Sequence, residues 1–317
     1  MSSRTGWRTT DGQRLTLLQG ALCGPFTPTL HYAARHPTPA VRRGLDGLIH
    51  VAGLNRGPMV TMRRLSAGGV PARLYTPPGL GIGAPLLVFI HGGGFVVGSS
   101  VSHAQLAKFV ARQVKCKVLS VDYRMAPEHP FPAAVDDSVA AFRWAVGNAE
   151  ALGVDPARIV VGGDSAGGNA SVVVCLDTAG DAARPRGAWL LYPVTDTDFE
   201  AWPSHRLFAE GPLLSATCIK DMFTSYVDSA HAKDPRVAVL HADGLGALPP
   251  TYLATAGMDP LRDQGEAFAD RARAAGAKVE LRRFESLPHG FANLLIDPKA
   301  RAAAGEACAA LVRLLAA

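Results

Sequence analysis

The chain has 317 residues, of which 48% are hydrophobic and 19% are charged, and its formal net charge is +5. A chain of this length and composition can bury a large core, which excludes a disordered or fibrous protein. The basic residues are distributed in pairs such as Arg42-Arg43 and Arg63-Arg64, without a long basic block or interleaved aromatic residues. We therefore expect a solvated basic surface and no nucleic-acid partner.

The predicted elements begin with mixed helical and loop character over residues 15–54, interrupted by four prolines. Residues 60–65 and 70–75 are strand-like and are joined by Ser66-Ala67-Gly68-Gly69, which predicts a hairpin. Strands and helices then alternate, which predicts a mostly parallel sheet covered by helices on both faces, with the antiparallel hairpin at one edge. The predicted strands are 86–90, 117–121, 159–161, 188–192, 251–256 and 279–284, and the predicted helices are 103–114, 132–146, 165–176, 264–275 and 301–315.

Two segments interrupt this alternation. The first is the N-terminal stretch, which is too short to form a core of its own. The second is residues 195–227, a long aromatic-rich insertion between two predicted core strands, and such insertions commonly act as lids or binding segments. We therefore predict an N-terminal part of a cap at 1–54, a core at 55–194 and 228–317, and a cap insertion at 195–227.

The cysteines and the apolar runs indicate where the protein resides. An odd number of widely spaced cysteines without a C-x-x-C pattern argues against a disulfide framework or a zinc site. No apolar run reaches the roughly 18 residues that a membrane helix needs, and the apolar stretch at 15–23 is broken by Gln19 and Gly20, unlike a signal peptide. We expect a cytoplasmic protein without a membrane span. The cysteines are Cys23, Cys116, Cys175, Cys218 and Cys308.

A strand-to-turn-to-helix motif stands at the centre of the alternation. The β-branched run Ile159-Val160-Val161 leads into Gly163-Asp164-Ser165-Ala166-Gly167, and a helix of small residues follows. This is the G-x-S-x-G nucleophile elbow, in which glycines two residues before and after the serine let a tight, strained turn expose the hydroxyl. Taken alone, the pattern also fits a glycine-rich turn without a function.

Three further motifs follow predicted strands, at the edge where open α/β sheets bind their ligands. The run His91-Gly92-Gly93-Gly94-Phe95 can present backbone N–H groups to an oxyanion. Asp259 stands at the end of the predicted strand 251–256, where a carboxylate can orient an imidazole. Asp263 lies one helical turn later and better fits an acid in the first turn of the next helix. His289 follows the last strand. The order Ser165, Asp259, His289 is that of α/β-hydrolases.

With these motifs in place, the chain resembles the bacterial hormone-sensitive lipase-like, or family IV, carboxylesterases over residues 55–317. The resemblance implies an α/β-hydrolase fold with a helical cap, Ser165 as nucleophile, Asp259 as triad acid and His289 as base. It also implies oxyanion-binding N–H groups at Gly93, Gly94 and Ala166, with no metal and no organic cofactor. The residues that carry it are His91-Gly92-Gly93-Gly94-Phe95, residues 122–132 (DYRMAPEHPFP), Gly163-Asp164-Ser165-Ala166-Gly167-Gly168, Asp259-Pro260-Leu261-Arg262-Asp263 and His289-Gly290-Phe291.

The predicted function is a serine carboxylesterase that hydrolyses short-to-medium acyl esters, with a small-molecule ester as partner. An amidase or deacetylase with the same triad is an alternative, and a non-catalytic binding protein on the same fold is disfavoured because His289 is present. The sequence leaves open whether the protein is a homodimer. We also expect an ion pair between Arg124 and Glu128, and a structural anchoring role for Asp164 beside the nucleophile.

Overall fold

The computed structural model describes residues 14–54, 56–182 and 184–316, so the first part of the predicted N-terminal cap segment lies outside the described residues. The strands are β1 (Thr61–Ala67), β2 (Val70–Thr76), β3 (Ala84–Ile90), β4 (Lys117–Val121), β5 (Val154–Asp164), β6 (Ala188–Leu191), β7 (Thr251–Met258) and β8 (Val279–Pro288). The α-helices are α1 (Leu17–Arg35), α2 (Pro39–Ala52), α3 (Ala104–Val114), α4 (Ala133–Gly147), α5 (Ala149–Leu152), α6 (Ala166–Asp177), α7 (Pro203–Leu207), α8 (Ala216–Tyr226), α9 (Arg262–Ala274) and α10 (Pro298–Ala316).

The eight strands described form one sheet in the order β1-β2-β4-β3-β5-β6-β7-β8. The β1–β2 and β2–β4 pairs are antiparallel, and all other neighbours are parallel. The predicted mostly parallel sheet with an antiparallel hairpin at one edge is therefore confirmed. Every residue of β7 is buried, as expected for a strand covered on both faces.

The elbow strand is longer than predicted. It begins at Val154, five residues before the predicted start at Ile159, and Ala84 pairs with Val154 across a register shift. The first half of β5 contains Pro156 and is largely exposed. Its apolar signal therefore begins only at Ile159, which is why the sequence pattern missed the earlier residues.

Helices cover both faces of the sheet and create two apolar layers. Residues of α3 and α10 belong to one buried cluster, and residues of α4, α6 and α9 belong to the other. The small-residue helix α6 is buried along its first ten residues. It therefore crosses the centre of the sheet directly after Ser165, which holds the nucleophile turn between two rigid elements.

Helix α1 continues through Pro25 and Pro28, which the sequence analysis treated as interruptions. Thr16 caps its N-terminus with reciprocal hydrogen bonds to Gln19, and the Gln19 amide also donates to the buried Asp297 carboxylate, which caps α10. The local cap and the long-range bond to Asp297 stabilise a helix that its two internal prolines would not favour.

The N-terminal helical segment and the insertion, which both interrupt the alternation of strands and helices, contact one another. Asp221 of α8 accepts hydrogen bonds from Arg35 and pairs with His31, both of α1, at 2.8 and 3.1 Å. The backbone N–H of Leu213 donates to the hydroxyl of Thr27. Residues before the first strand and residues of the insertion thus form one helical layer at the carboxyl edge of the sheet.

The expected ion pair between Arg124 and Glu128 is wrong. Arg124 binds Asp137 of α4, with Nη2 2.7 Å from Oδ1, and its backbone N–H donates to the same carboxylate. Glu128 instead accepts two hydrogen bonds from Arg42 of α2. The expected pair does not form because partners outside this loop, Asp137 and Arg42, reach both side chains.

All five cysteines are buried and none is in a disulfide. Burial raises the pKa of each thiol, to about 12 for Cys23, Cys218 and Cys308, and also raises those of Cys116 and Cys175. In the described ranges no helix is both long and apolar enough to cross a membrane.

Candidate active site

The nucleophile turn is forced by close packing against the end of β3. Ser165 lies between β5 and α6 with φ 55° and ψ −120°, a strained conformation for a residue with a side chain. A Cβ on Gly163 would come within 2.2 Å of the Ile90 carbonyl oxygen, and one on Gly167 within 1.9 Å of the same atom. Both elbow glycines are therefore required by one carbonyl group of the neighbouring strand.

Ser165, His289 and Asp259 lie in one line of hydrogen bonds. The Nε2 atom of His289 is 3.0 Å from the Ser165 hydroxyl oxygen, and its Nδ1 atom is 2.7 Å from Asp259 Oδ2. The other Asp259 oxygen accepts the backbone N–H of Leu261, and the carboxylate is fully buried. Because a carboxylate only accepts, the proton lies on Nδ1, and Nε2 presents its lone pair to the serine.

The strand ends explain why these residues meet. Asp259 directly follows β7 and His289 directly follows β8, and these strands are parallel neighbours on the side of β6 away from the elbow strand. Their carboxyl ends therefore deliver an acid and a base to the same edge that exposes Ser165.

The rival acid Asp263 is occupied elsewhere. It lies in the first turn of α9, as the sequence analysis expected, and its carboxylate accepts the backbone N–H of Ser204 at 2.7 Å and binds Arg262 at 2.8 Å. Asp263 thereby anchors α7 of the insertion to the core and makes no hydrogen bond to His289.

Tyr192 is a site residue that the sequence analysis missed. Its ring packs against the imidazole of His289 with centroids 4.9 Å apart, and its backbone φ is 36°. A buried aromatic residue in this conformation is strained, and such strain concentrates at functional sites. Its position at the carboxyl end of β6, level with the other motifs, was the signal that could have identified it.

The glycine loop after β3 lines the cavity onto which Ser165 also opens. Gly93 and Gly94 have φ values of 120° and 61°, and a Cβ on Gly93 would come within 2.0 Å of the Val97 carbonyl oxygen. In the described part of the chain no hydrogen bond engages the N–H groups of Gly93 and Gly94. Ala166 is the first residue of α6, where the N–H has no acceptor within the helix. Gly93 and Gly94 thus line the same cavity as Ser165, and Ala166 directly follows the serine in the chain.

A narrow apolar cavity of about 100 Å³ opens onto Ser165 and His289. Both helical segments outside the core contribute apolar walls. The side chains that line it from these segments are Phe26, Leu30, Leu45, Ile49, Leu213, Leu214 and Met222.

A family model described as the alpha/beta hydrolase fold matches residues 87–293, the span that contains the glycine loop, the elbow and His289. The chain therefore belongs to the alpha/beta-hydrolase-fold family. It is 48% identical over 237 residues to the carboxylic ester hydrolase LipN of Mycobacterium tuberculosis, a match that covers 72% of this chain and 62% of that relative.

A second relative and a solved structure agree with this. The carboxylesterase NlhH of Mycobacterium tuberculosis is 41% identical over 253 residues, 78% of this chain and 79% of the relative. The structure of the ester hydrolase EH1AB1 from the metagenome of Lake Arreo superposes with a TM-score of 0.85 at 34% identity, covering 96% of this chain and all of the other. The resemblance to bacterial family IV carboxylesterases is thereby confirmed.

Proposed function

We propose that the protein is a serine carboxylesterase that hydrolyses short-to-medium acyl esters through a Ser165–His289–Asp259 triad and an acyl-enzyme intermediate. The observation that carries the proposal is the continuous hydrogen-bonded line from Asp259 through His289 to Ser165 at the mouth of an apolar cavity. The names of the relatives support esters, rather than amides, as the substrate class.

The first half of the reaction uses the tautomer that Asp259 imposes. His289 Nε2 accepts the Ser165 proton while the serine oxygen attacks the ester carbonyl, and Asp259 stabilises the resulting imidazolium. The carbonyl oxygen becomes negative and receives hydrogen bonds from the N–H groups of Gly93, Gly94 and Ala166. Removing one such donor typically costs about 3 kcal/mol of transition-state stabilisation.

The second half repeats the same chemistry with water. His289 returns its proton to the leaving alkoxide, which departs and leaves an acyl group on Ser165. Water then attacks the acyl carbonyl while His289 removes its proton, and the carboxylic acid is released when the proton returns to Ser165. Every proton passes through the single Nε2 atom.

The substrate range follows from the cap. We assign the described residues 14–54 and the insertion 195–227 to this cap, because both line the cavity and neither contributes a strand to the sheet. A cavity of about 100 Å³ with apolar walls accommodates a short acyl chain and excludes bulk water from the acyl-enzyme.

The test is hydrolysis of p-nitrophenyl esters from acetate to palmitate, with the matching p-nitroanilides as amide substrates. We expect the highest kcat/KM for short or medium acyl chains and slower turnover of the anilides. In Ser165→Ala the fold should persist while kcat falls by roughly 10⁴ to 10⁶. Substantial turnover by folded, pure Ser165→Ala protein would contradict the assignment, and preferred cleavage of the anilides would indicate an amidase.

A further inference from the structure

A buried charged pair that the reaction above does not use lies directly behind the nucleophile. Asp164 precedes Ser165, and His103 precedes α3; each is only 3% exposed. The Nε2 atom of His103 is 3.3 Å from Asp164 Oδ2. Charged side chains are rarely buried this completely unless they are paired. This pair is therefore a candidate for a functional role.

The groups around His103 can accept protons from both nitrogens of its ring. Nε2 faces the Asp164 carboxylate, which can only accept. Nδ1 lies 3.2 Å from the Ser99 carbonyl oxygen and 2.9 Å from the Ser102 hydroxyl oxygen. When the Ser102 hydroxyl donates its single proton to the Ser99 carbonyl at 2.9 Å, it offers Nδ1 a lone pair. Both ring nitrogens then face acceptors, which favours a ring that carries a proton on each.

The surrounding charges agree with an imidazolium. Burial alone would lower the pKa of His103, but the charge and hydrogen bond of Asp164 raise that pKa above its ordinary value overall. Conversely, burial favours the neutral acid at Asp164, and His103 brings the pKa of that carboxyl below its ordinary value.

The other titratable groups near the pair lie within or directly after three neighbouring elements. Asp46 of α2 accepts a hydrogen bond from Ser99, and Asp122 after β4 accepts two from Ser100. The His91 ring lies 5.6 Å from the His103 ring. Burial and the nearby His103 charge lower the pKa of His91 below its ordinary value.

Asp164 connects three parts of the site. Its Oδ1 accepts the backbone N–H of Gly92, at the base of the glycine loop, at 2.9 Å. Its Oδ2 accepts the Asn293 amide at 3.2 Å, four residues after His289. Asp164 is itself bonded to Ser165. One buried carboxylate therefore fixes the loop, the serine and the segment after the base relative to one another, provided that its negative charge is balanced.

We propose that His103 is a positioning residue that remains an imidazolium in the working enzyme. By balancing the negative charge of Asp164, it holds the glycine loop in place beside Ser165. The consequence is a second pH limit. Because deprotonation of His103 leaves the Asp164 charge uncompensated, the geometry is intact at lower pH and is lost as pH rises through the raised pKa of His103. This loss is opposite in direction to the acid loss expected for His289.

The direct test is the protonation state of His103 in the intact protein. The protein is labelled with ¹⁵N-histidine, and the resonances of His103 are assigned by their absence in His103→Gln. We expect both ring nitrogens to remain protonated through neutral pH and to titrate only above the ordinary range of a histidine. A single neutral tautomer at pH 7 would overturn the proposal. This measurement does not depend on esterase activity, so it separates this proposal from the proposed function on which its kinetic consequence rests.

The kinetic test compares His103→Gln with His129→Gln, which changes an exposed histidine in the same way. Glutamine keeps a donor for Asp164 but removes the charge. We expect kcat for p-nitrophenyl butyrate to fall about 100-fold, the size expected for a displacement of about 1 Å in a catalytic group. KM should be little changed and the alkaline limb should disappear, while His129→Gln matches the parent enzyme.

An unchanged kcat and an unchanged alkaline limb in His103→Gln would contradict the proposal. If His103→Gln fails to fold, the double variant His103→Gln/Asp164→Asn provides the kinetic comparison, because it contains no uncompensated buried charge. We expect the double variant to fold and to lack the alkaline limb, because the titrating imidazole is absent. A double variant with the alkaline limb of the parent enzyme would overturn the positioning role.

Discussion

The ring of Phe95 stacks on the ring of Tyr226, with centroids 4.0 Å apart and planes inclined by 16°. Phe95 ends the glycine loop, and Tyr226 ends α8 of the insertion. One turn earlier on α8, Met222 fills the space over Gly94, where a Cβ would come within 2.2 Å of its sulfur. Helix α8 therefore packs against two consecutive residues of the glycine loop. We expect it to influence the rate of the chemical step as well as the choice of substrate.

Replacing Tyr226 tests this support. We expect Tyr226→Leu to lower kcat roughly tenfold, because a stacked aromatic pair contributes about 0.5–1.5 kcal/mol and 1.4 kcal/mol corresponds to a factor of ten in rate. The control is Tyr226→Phe, which keeps the stack. The Tyr226 hydroxyl is buried and makes no hydrogen bond to the described residues, so its removal should leave kcat unchanged. A defect limited to KM in Tyr226→Leu would argue against support of the loop.

The two acids that follow β7, Asp259 and Asp263, should have different functions. We expect Asp259→Asn to lower kcat about 10⁴-fold, because the amide stabilises the wrong tautomer of His289. Asp263→Asn should leave kcat little changed and reduce the free energy of unfolding by about 1 kcal/mol, since it weakens the contacts to Ser204 and Arg262. Steady-state kinetics and urea unfolding of both variants check this, and a larger kcat loss in Asp263→Asn at equal stability would reverse the assignment.

The base should produce an acid limb. His289 must be neutral to accept the serine proton, so we expect kcat/KM to fall as the pH is lowered. The measurement is the kcat/KM profile with p-nitrophenyl butyrate from pH 5 to 8. A flat profile over this range would contradict a histidine base.

The cavity wall should set acyl length. Phe26 of α1 lines the cavity. We expect Phe26→Ala to raise the ratio of kcat/KM for the octanoate ester to that for the butyrate ester by about tenfold. An effect of this size lies within the range of discrimination that one methylene group produces in an apolar pocket. Leu48→Ala is the control, because Leu48 lies on α2 and is 46% exposed. An unchanged chain-length profile in Phe26→Ala would mean that α1 does not shape the acyl site.

The sequence predicted the parts of the fold that depend on local pattern. Strand-to-helix alternation gave the sheet, and the motifs around Ser165, Asp259 and His289 each followed a strand, because glycine turns and apolar runs are encoded in neighbouring residues. The early half of β5 was missed because it is exposed and contains Pro156.

Contacts between distant segments could not be predicted in the same way. The partners of Arg124 and Glu128 depend on α4 and α2, which only the folded chain brings to that loop. The same holds for the packing of Tyr192 on His289 and for His103 beneath the glycine loop, since neither residue belongs to a recognisable motif. A single sequence shows which residue types are present but not which of them meet across the sheet.

The positions of the five buried thiols allow partial opening of the folded protein to be detected. A thiol is alkylated as the thiolate, so a buried cysteine of raised pKa reacts only when its surroundings open. Cys23 and Cys218 lie on α1 and α8, whereas Cys175 and Cys308 lie on α6 and α10 and Cys116 directly precedes β4. Because segments of a protein can open at lower free energy than the whole fold, mass-resolved labelling in native buffer can test whether the two helices open separately from global unfolding, without an introduced probe.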